Sequence, residues 1–281
     1  MEHFRKINEL KSVLDADRQK GHTIGFVPTM GALHQGHLSL VDRAADENDR
    51  VVVSIFVNPT QFNNPKDLEN YPRIIDHDFS LLSSRSCDYI FYPEVEEMYP
   101  EPDTRKFNFG SLEAVMEGKF RPGHFNGVAQ VVSKLFVMVE PHRAYFGLKD
   151  FQQYSILRKM VNMLNLPVQL IACETVREAD GLAMSSRNAL LTKEHRAVAP
   201  QIYRFLQEAR TEAGTLPPED VRHHVMEKIN SVSLLKLEYF EIVDELTLQS
   251  VSSWAEEGMK VGCIAVFAGS VRLIDNIIFE K

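Results

Sequence analysis

The run Val51-Val52-Val53-Ser54-Ile55-Phe56-Val57 constrains the fold more than any other stretch of this chain. It is β-branched and apolar, without the polar alternation of a half-exposed strand, as a strand buried on both faces should be. Strands of that kind belong to parallel sheets covered by helices on both sides. The neighbouring sequence agrees. Residues 23–27, 88–92, 143–146 and 168–172 read as further strands, and residues 2–20, 37–48, 75–84, 124–139 and 150–164 as helices between them. Each strand-to-helix passage is short enough for a right-handed crossover.

After Cys173 the alternation stops. Residues 192–212 read as a polar, alanine-containing helix, 214–218 as a loop, 219–230 as another helix, and 237–243 and 262–267 as strands. The expected fold class is therefore α/β: a Rossmann-like parallel sheet over residues 1–175, with a smaller α+β domain over 176–281. A nucleotide is expected at the carboxyl ends of the parallel strands.

The bulk numbers narrow the function. A net charge of −8 argues against a nucleic-acid binder, which usually carries a basic face. No stretch approaches the ~18 apolar residues needed to span a bilayer. Cys87, Cys173 and Cys263 are far apart and lack any metal or disulfide spacing. The opening residues are charged and helical in pattern, with no apolar core of a signal peptide. The expectation is a reduced, cytoplasmic protein.

Four segments carry chemistry. In the first, Gly25 to His37, a strand ends at Val27, a loop follows, and a helix is expected from about His37. A helix start offers unpaired N–H groups and a positive dipole end, which suit a phosphate. His34 and His37, three residues apart around Gly36, place two imidazoles there as donors to charge on a transferring phosphoryl oxygen. The alternative is a metal pair or two surface histidines, but no further ligand sits nearby at metal spacing.

The second segment, Ser54 to Phe62, sets Asn58 and Gln61 just past the buried strand, where carboxamides would suit a hydroxy acid. Asn58 is equally read as half of an Asn-Pro turn. Downstream, Asp78 is either an exposed helical residue or a magnesium ligand. The third segment runs from Arg121-Pro122-Gly123-His124-Phe125-Asn126-Gly127-Val128 to Gly147-Leu148-Lys149-Asp150-Phe151-Gln152-Gln153. Lys149 is a point charge at a helix start. Asp150 either caps that helix or accepts from a ribose hydroxyl, and Gln153 shares its face. In the fourth, Val176 to Asn188, an Asp-Gly turn precedes Met184-Ser185-Ser186-Arg187, two hydroxyls beside a guanidinium that can bind phosphate bidentately.

The HxGH element and the Met-Ser-Ser-Arg stretch resemble the paired signatures of the nucleotidylyltransferase superfamily. Taken in order and spacing, PTMGALHxGHLSLV, SIFVNPxQF, RPGHFxGV, FGxKDxQQ and VREADGLAMSSRN resemble the pantothenate synthetase family, densely from about residue 20 to 195 and weakly beyond. The resemblance implies an ATP-dependent joining of pantoate to β-alanine through an acyl adenylate, with Mg2+, in a homodimer. It implies an ATP site lined by Met30, Gly31, Ala32, Leu33, His34, Gln35, Gly36 and His37, by Gly147, Leu148, Lys149 and Asp150, and by Val176. It further implies that Met184, Ser185, Ser186 and Arg187 close over the triphosphate, with the second domain as a lid. His37 is implied as proton donor, with His34 and Lys149 on the phosphates and Gln61 and Gln153 on pantoate. Leu148 stands where the family usually has Glu, and Glu174 where it often has Pro; position 148 neighbours the ATP loop, so an altered ATP affinity is expected from it. The nearest rival, transfer of AMP to a phosphorylated acceptor, predicts more Arg or Lys in place of the carboxamides.

Overall fold

The structure, a computed structural model, describes residues 1–63 and 65–279. Its first half runs β1 (Glu2–Phe4), α1 (Ile7–Gln19), β2 (Ile24–Thr29), α2 (Gln35–Glu47), β3 (Arg50–Ile55), α3 (Pro65–Glu69), α4 (Ile75–Ser83), β4 (Tyr89–Phe91) and α5 (Val95–Met98). It continues through α6 (Met116–Phe120), α7 (His124–Val139), β5 (Arg143–Gly147), α8 (Phe151–Leu164) and β6 (Gln169–Cys173). These strands form one six-stranded sheet in the order β1-β4-β3-β2-β5-β6, with every neighbouring pair parallel. The second half adds α9 (Lys193–Val198), α10 (Gln201–Glu212), α11 (Pro218–Ser231) and an antiparallel sheet of β7 (Leu235–Asp244), β8 (Lys260–Ala268) and β9 (Val271–Phe279). The α/β class with a smaller α+β portion is what the strand patterns predicted.

Three elements differ from expectation. The helix expected over 2–20 begins at Ile7, because Glu2–Phe4 pairs as an edge strand with β4, Glu2 opposite Tyr89 and Phe4 opposite Phe91. The helix expected over 192–212 is broken, since Pro200 has no N–H with which to continue the ladder from α9 into α10. And α2 starts two residues before His37, for a reason given below.

By contact, the described residues fall into two compact units. The first comprises 1–109, 121–148 and 156–174; the second comprises 110–120, 149–155 and 175–279. In the first, Val51, Val52 and Val53 are buried on both faces of the sheet, as their composition required. On one face Leu38, Val41 and Ala44 of α2 pack with Val27, Val53, Ile90 and Tyr145. On the other, Phe26 meets Phe136 of α7 edge to face with ring centroids 6.3 Å apart. Strand order reverses at β2, whose neighbours are β3 on one side and β5 on the other. In an open α/β sheet, such a switch point opens a crevice at the carboxyl ends of the strands.

In the second unit, Leu206 and Ala209 of α10 and Val221, Val225 and Ile229 of α11 cover the three-stranded sheet through Phe240, Ile242, Ile264, Val266 and Leu273. The two short segments from the first half of the chain are fastened there by buried polar groups. Gln152 donates to the carbonyls of Leu112 and Val115 (2.7 and 2.9 Å) and accepts from the Glu117 amide at 2.9 Å. Glu117 in turn takes both ends of the Arg272 guanidinium, at 2.9 and 2.6 Å, and the Tyr239 hydroxyl at 2.8 Å. Removing one partner of a buried ion pair strands the other charge. Arg272→Met is therefore expected to cost about 3 kcal/mol of stability, read by urea unfolding. A loss under ~1 kcal/mol would place this network among solvated surface pairs instead.

Candidate active site

The loop between β2 and α2 is shaped by a buried carboxylate. Gly31 (φ 80°) and Ala32 (φ 49°) are consecutive residues in the left-handed region. That backbone turns successive N–H groups toward one point, an anion-binding concavity. The anion is Asp78: its Oδ2 accepts from Ala32 N at 2.9 Å and its Oδ1 from Leu33 N at 2.8 Å. A side chain at Gly31 would put Cβ 2.9 Å from that same Oδ2, so glycine is required by both conformation and space. Thr29 completes the turn, donating to Ser54 O at 2.7 Å and accepting from Gly31 N at 3.2 Å.

This bears on two expectations. Asp78 is not an exposed helical residue: it is 1% exposed and each of its oxygens accepts from a loop amide. Burial pushes its carboxyl above the ordinary carboxylate range, against the lowering effect of the Leu33 and Ala32 amides. Ala32 and Leu33, expected to line an ATP site, are buried, and their amides serve Asp78. Among the described residues no three His, Cys, Asp or Glu side chains gather as a metal site.

The loop delivers His34 to the N-cap of α2. Its Nδ1 accepts from Gly36 N at 3.2 Å, and His37 Nδ1 accepts from His34 N at 3.4 Å, a reciprocal capping box built from two imidazoles. This capping starts the helix at Gln35. The rings lie 4.1 Å apart between centroids. An uncharged imidazole that accepts at Nδ1 carries its proton on Nε2. Both histidines are thereby held as Nε2–H donors at the positive end of a 13-residue helix. Met30, Gln35 and Gly36 belong to the same turn.

Gln61 lies in a 3-10 turn after β3, 9% exposed, with its Nε2 3.2 Å from Met30 Sδ. Asn58, expected as a second substrate ligand, is fully buried and holds Gln61 instead. Its Nδ2 donates to Gln61 Oε1, Thr60 Oγ1 and Gly127 O, each at 3.1 Å, while Tyr99 donates to its Oδ1 at 2.8 Å. A side chain with no exposure and its amide so committed positions its neighbour rather than touching a ligand. The segment Arg121 to Val128 packs against the Gln61 turn. His124 Nδ1 sits 2.9 Å from Gln61 O, and a Cβ at Gly127 would fall 2.4 Å from Thr60 O. Tyr99, His124 and Gly127 are thus functional supports that spacing alone does not reveal.

Gly147 ends β5, and Leu148, Lys149 and Asp150 form a 3-10 turn before α8. Within the second unit, Lys149 Nζ lies 3.2 Å from Asp150 Oδ2, and Gln153 is half-buried on the first turn of α8. Val176 to Met184 form a hairpin: Met184 N donates to Val176 O at 3.0 Å and Glu178 N to Leu182 O at 2.8 Å, around Gly181 at φ 93°. Arg196 clamps the turn through Asp180 and Glu178 (2.6 and 2.8 Å). Ser185 then caps a 3-10 turn that carries Ser186 and Arg187, whose side chain is exposed.

A parallel sheet with a histidine pair capping the helix after its central strand defines an α/β enzyme of the HxGH type. The chain belongs to the pantoate–β-alanine ligase family, whose model matches residues 2–278. It is 56% identical to a pantothenate synthetase of Porphyromonas gingivalis and 53% identical to one of Bacteroides fragilis, in each case over 100% of both chains. The fold matches the crystal structure of pantothenate synthetase from Thermus thermophilus with a TM-score of 0.94 at 43% identity, covering 100% of both chains. It also matches a pantoate–β-alanine ligase from Francisella tularensis complexed with β-γ ATP and β-alanine, with a TM-score of 0.83 at 36% identity over 100% of this chain and 98% of that one.

The contact at Gly127 makes a specific prediction. Gly127→Ala is expected to cost about 2 kcal/mol, as a methyl forced into packed backbone does. It should also shift the Gln61 side-chain amide resonance, because the carbonyl it strikes belongs to Thr60. An unshifted Gln61 signal would show that the turn absorbs the methyl without moving that side chain.

Proposed function

We propose that this chain condenses pantoate with β-alanine, using ATP and passing through pantoyl adenylate. The observation that carries the reading is the reciprocal His34–His37 cap at the start of α2, in a chain of this family. ATP enters as its magnesium complex, and the phosphate oxygens would supply ligands to that ion. A pantoate carboxylate oxygen attacks the α-phosphorus, the bond to the bridging oxygen of the β-phosphate breaks, and pyrophosphate leaves. The β-alanine amine then attacks the acyl carbon, the bond to the AMP oxygen breaks, and the amine gives up a proton.

In-line transfer needs little covalent help, so positioning and charge stabilisation dominate. His37 donates from Nε2 to the oxygen charge that develops in the first step, with His34 beside it on the phosphates. Lys149 exchanges its weak, half-exposed pairing with Asp150 for phosphate, and Arg187 and the Ser185 and Ser186 hydroxyls add donors. Gln61, held by Asn58 and His124, takes pantoate together with Gln153, and carboxamides suit its hydroxyls. Occupancy of the Francisella relative by β-γ ATP and β-alanine supports the same substrates here. The reading includes a homodimer, checked by light scattering after size exclusion, and a cytoplasmic location.

The deciding assay is release of pyrophosphate and AMP from ATP with D-pantoate, run with and without β-alanine. Pyrophosphate that depends on pantoate, with AMP and an amide formed on adding β-alanine, is the expected result. Release that requires a phosphorylated acceptor instead would replace this reading with nucleotidyl transfer. His37→Ala should lower the pantoate-dependent step by ~10²–10³, the usual effect of losing one such donor. Its circular dichroism should stay unchanged, and normal pyrophosphate release by the variant would remove His37 from the mechanism.

A further inference from the structure

In the middle of strand β9 Asp275 and Asn276 stand side by side among apolar neighbours, 5% and 8% exposed. Polar groups buried this deeply must find partners or destabilise the fold. Both partners lie in segments that the proposed function assigns to ATP. Asp275 grips Arg177 bidentately (2.7 and 2.9 Å), at the base of the hairpin that leads to Met184–Arg187. The same guanidinium stacks 3.4 Å from the Tyr203 ring centroid and donates to Gly181 O at 3.1 Å. Asn276 Nδ2 donates to the backbone carbonyl of Lys149 at 3.0 Å. The segment 149–155 accordingly belongs to the second unit, although it follows directly from β5 of the first.

We propose that Asn276 is a positioning residue for Lys149, fixing the backbone from which its ammonium reaches the triphosphate. This rests on the reading of Lys149 as a phosphate ligand. A lysine side chain has many rotamers, so its usable reach depends on where its Cα is held. Three residues on, Gln152 ties the same segment to the carbonyls of Leu112 and Val115, while Asn276 holds it at Lys149. The last strand of the chain thereby takes part in phosphate binding without touching the nucleotide.

The test is a double-mutant cycle on the full chain. Calorimetry would measure the affinity for the magnesium complex of a non-hydrolysable β,γ-ATP analogue, and for adenosine, in wild type, N276A, K149A and the double variant. N276D, which keeps the side-chain shape but removes the donor, serves as the second probe should N276A fold poorly. The expected result is about tenfold weaker analogue binding in N276A, unchanged adenosine binding, and less than a twofold further loss in the K149A background. Equal losses in both backgrounds, a parallel loss of adenosine affinity, or unchanged analogue affinity would each overturn the proposal. Because the readout is binding, a wild-type protein that binds the analogue yet makes no pantothenate would fail the ligase reading alone. The cycle would still decide the role of Asn276.

Discussion

Two backbone amides bonded to one buried carboxylate hold the candidate site in shape. Without Asp78, the left-handed pair Gly31–Ala32 would have no compensation for its conformation, and the amides of Ala32 and Leu33 would be left buried without acceptors. Hydrogen bonds to a charged group contribute roughly 1.5–3 kcal/mol each, enough to hold a strained loop in one state. What that loop determines is where His34 arrives. From there the capping box sets the start of α2 and the tautomer of both imidazoles. The chemistry of the pair therefore depends on an aspartate 41 residues beyond His37 in the chain.

The same arrangement recurs around the other candidate ligands. Gln61 is held by a fully buried asparagine, a histidine at the start of α7 and a glycine that lets that helix approach its backbone. Lys149 is held through its carbonyl by Asn276, and the Val176–Met184 hairpin through Arg177 by Asp275. In each case the polar group that holds the candidate residue is buried and satisfied. Buried networks of this kind are rigid because any loosened member loses a hydrogen bond that water cannot replace. Preorganisation of this sort is what electrostatic stabilisation of a phosphoryl transition state requires.

Much of this was legible in the chain. A strand such as β3, buried on both faces over Val51–Val53, is apolar at consecutive positions there, and that demand is local and visible. The α7 periodicity likewise marked His124–Val139, and the HxGH spacing marked a helix start. Other features left no such trace. Glu2–Phe4 is a short, largely exposed edge strand whose only cause is its pairing with β4. Asp78 looks like any acidic residue in the first turn of a helix, and Asn58 like half of an Asn-Pro turn, because side-chain type does not encode burial.

The sequence by itself determined the class of fold, the family and the identities of the residues that carry charge to the site. Those follow from local period, composition and motif spacing, which short-range sterics and hydrophobic burial impose on neighbouring residues. Only the tertiary structure decided which polar residues are buried and committed to holding the candidate ligand residues. Asp78, Asn58, Asp275 and Asn276 are assigned by partners 41 to 127 positions away, among them Ala32, Leu33, Tyr99, Gly127, Arg177 and Lys149. A buried hydrogen bond depends on where two distant segments meet, and the fold alone brings them together.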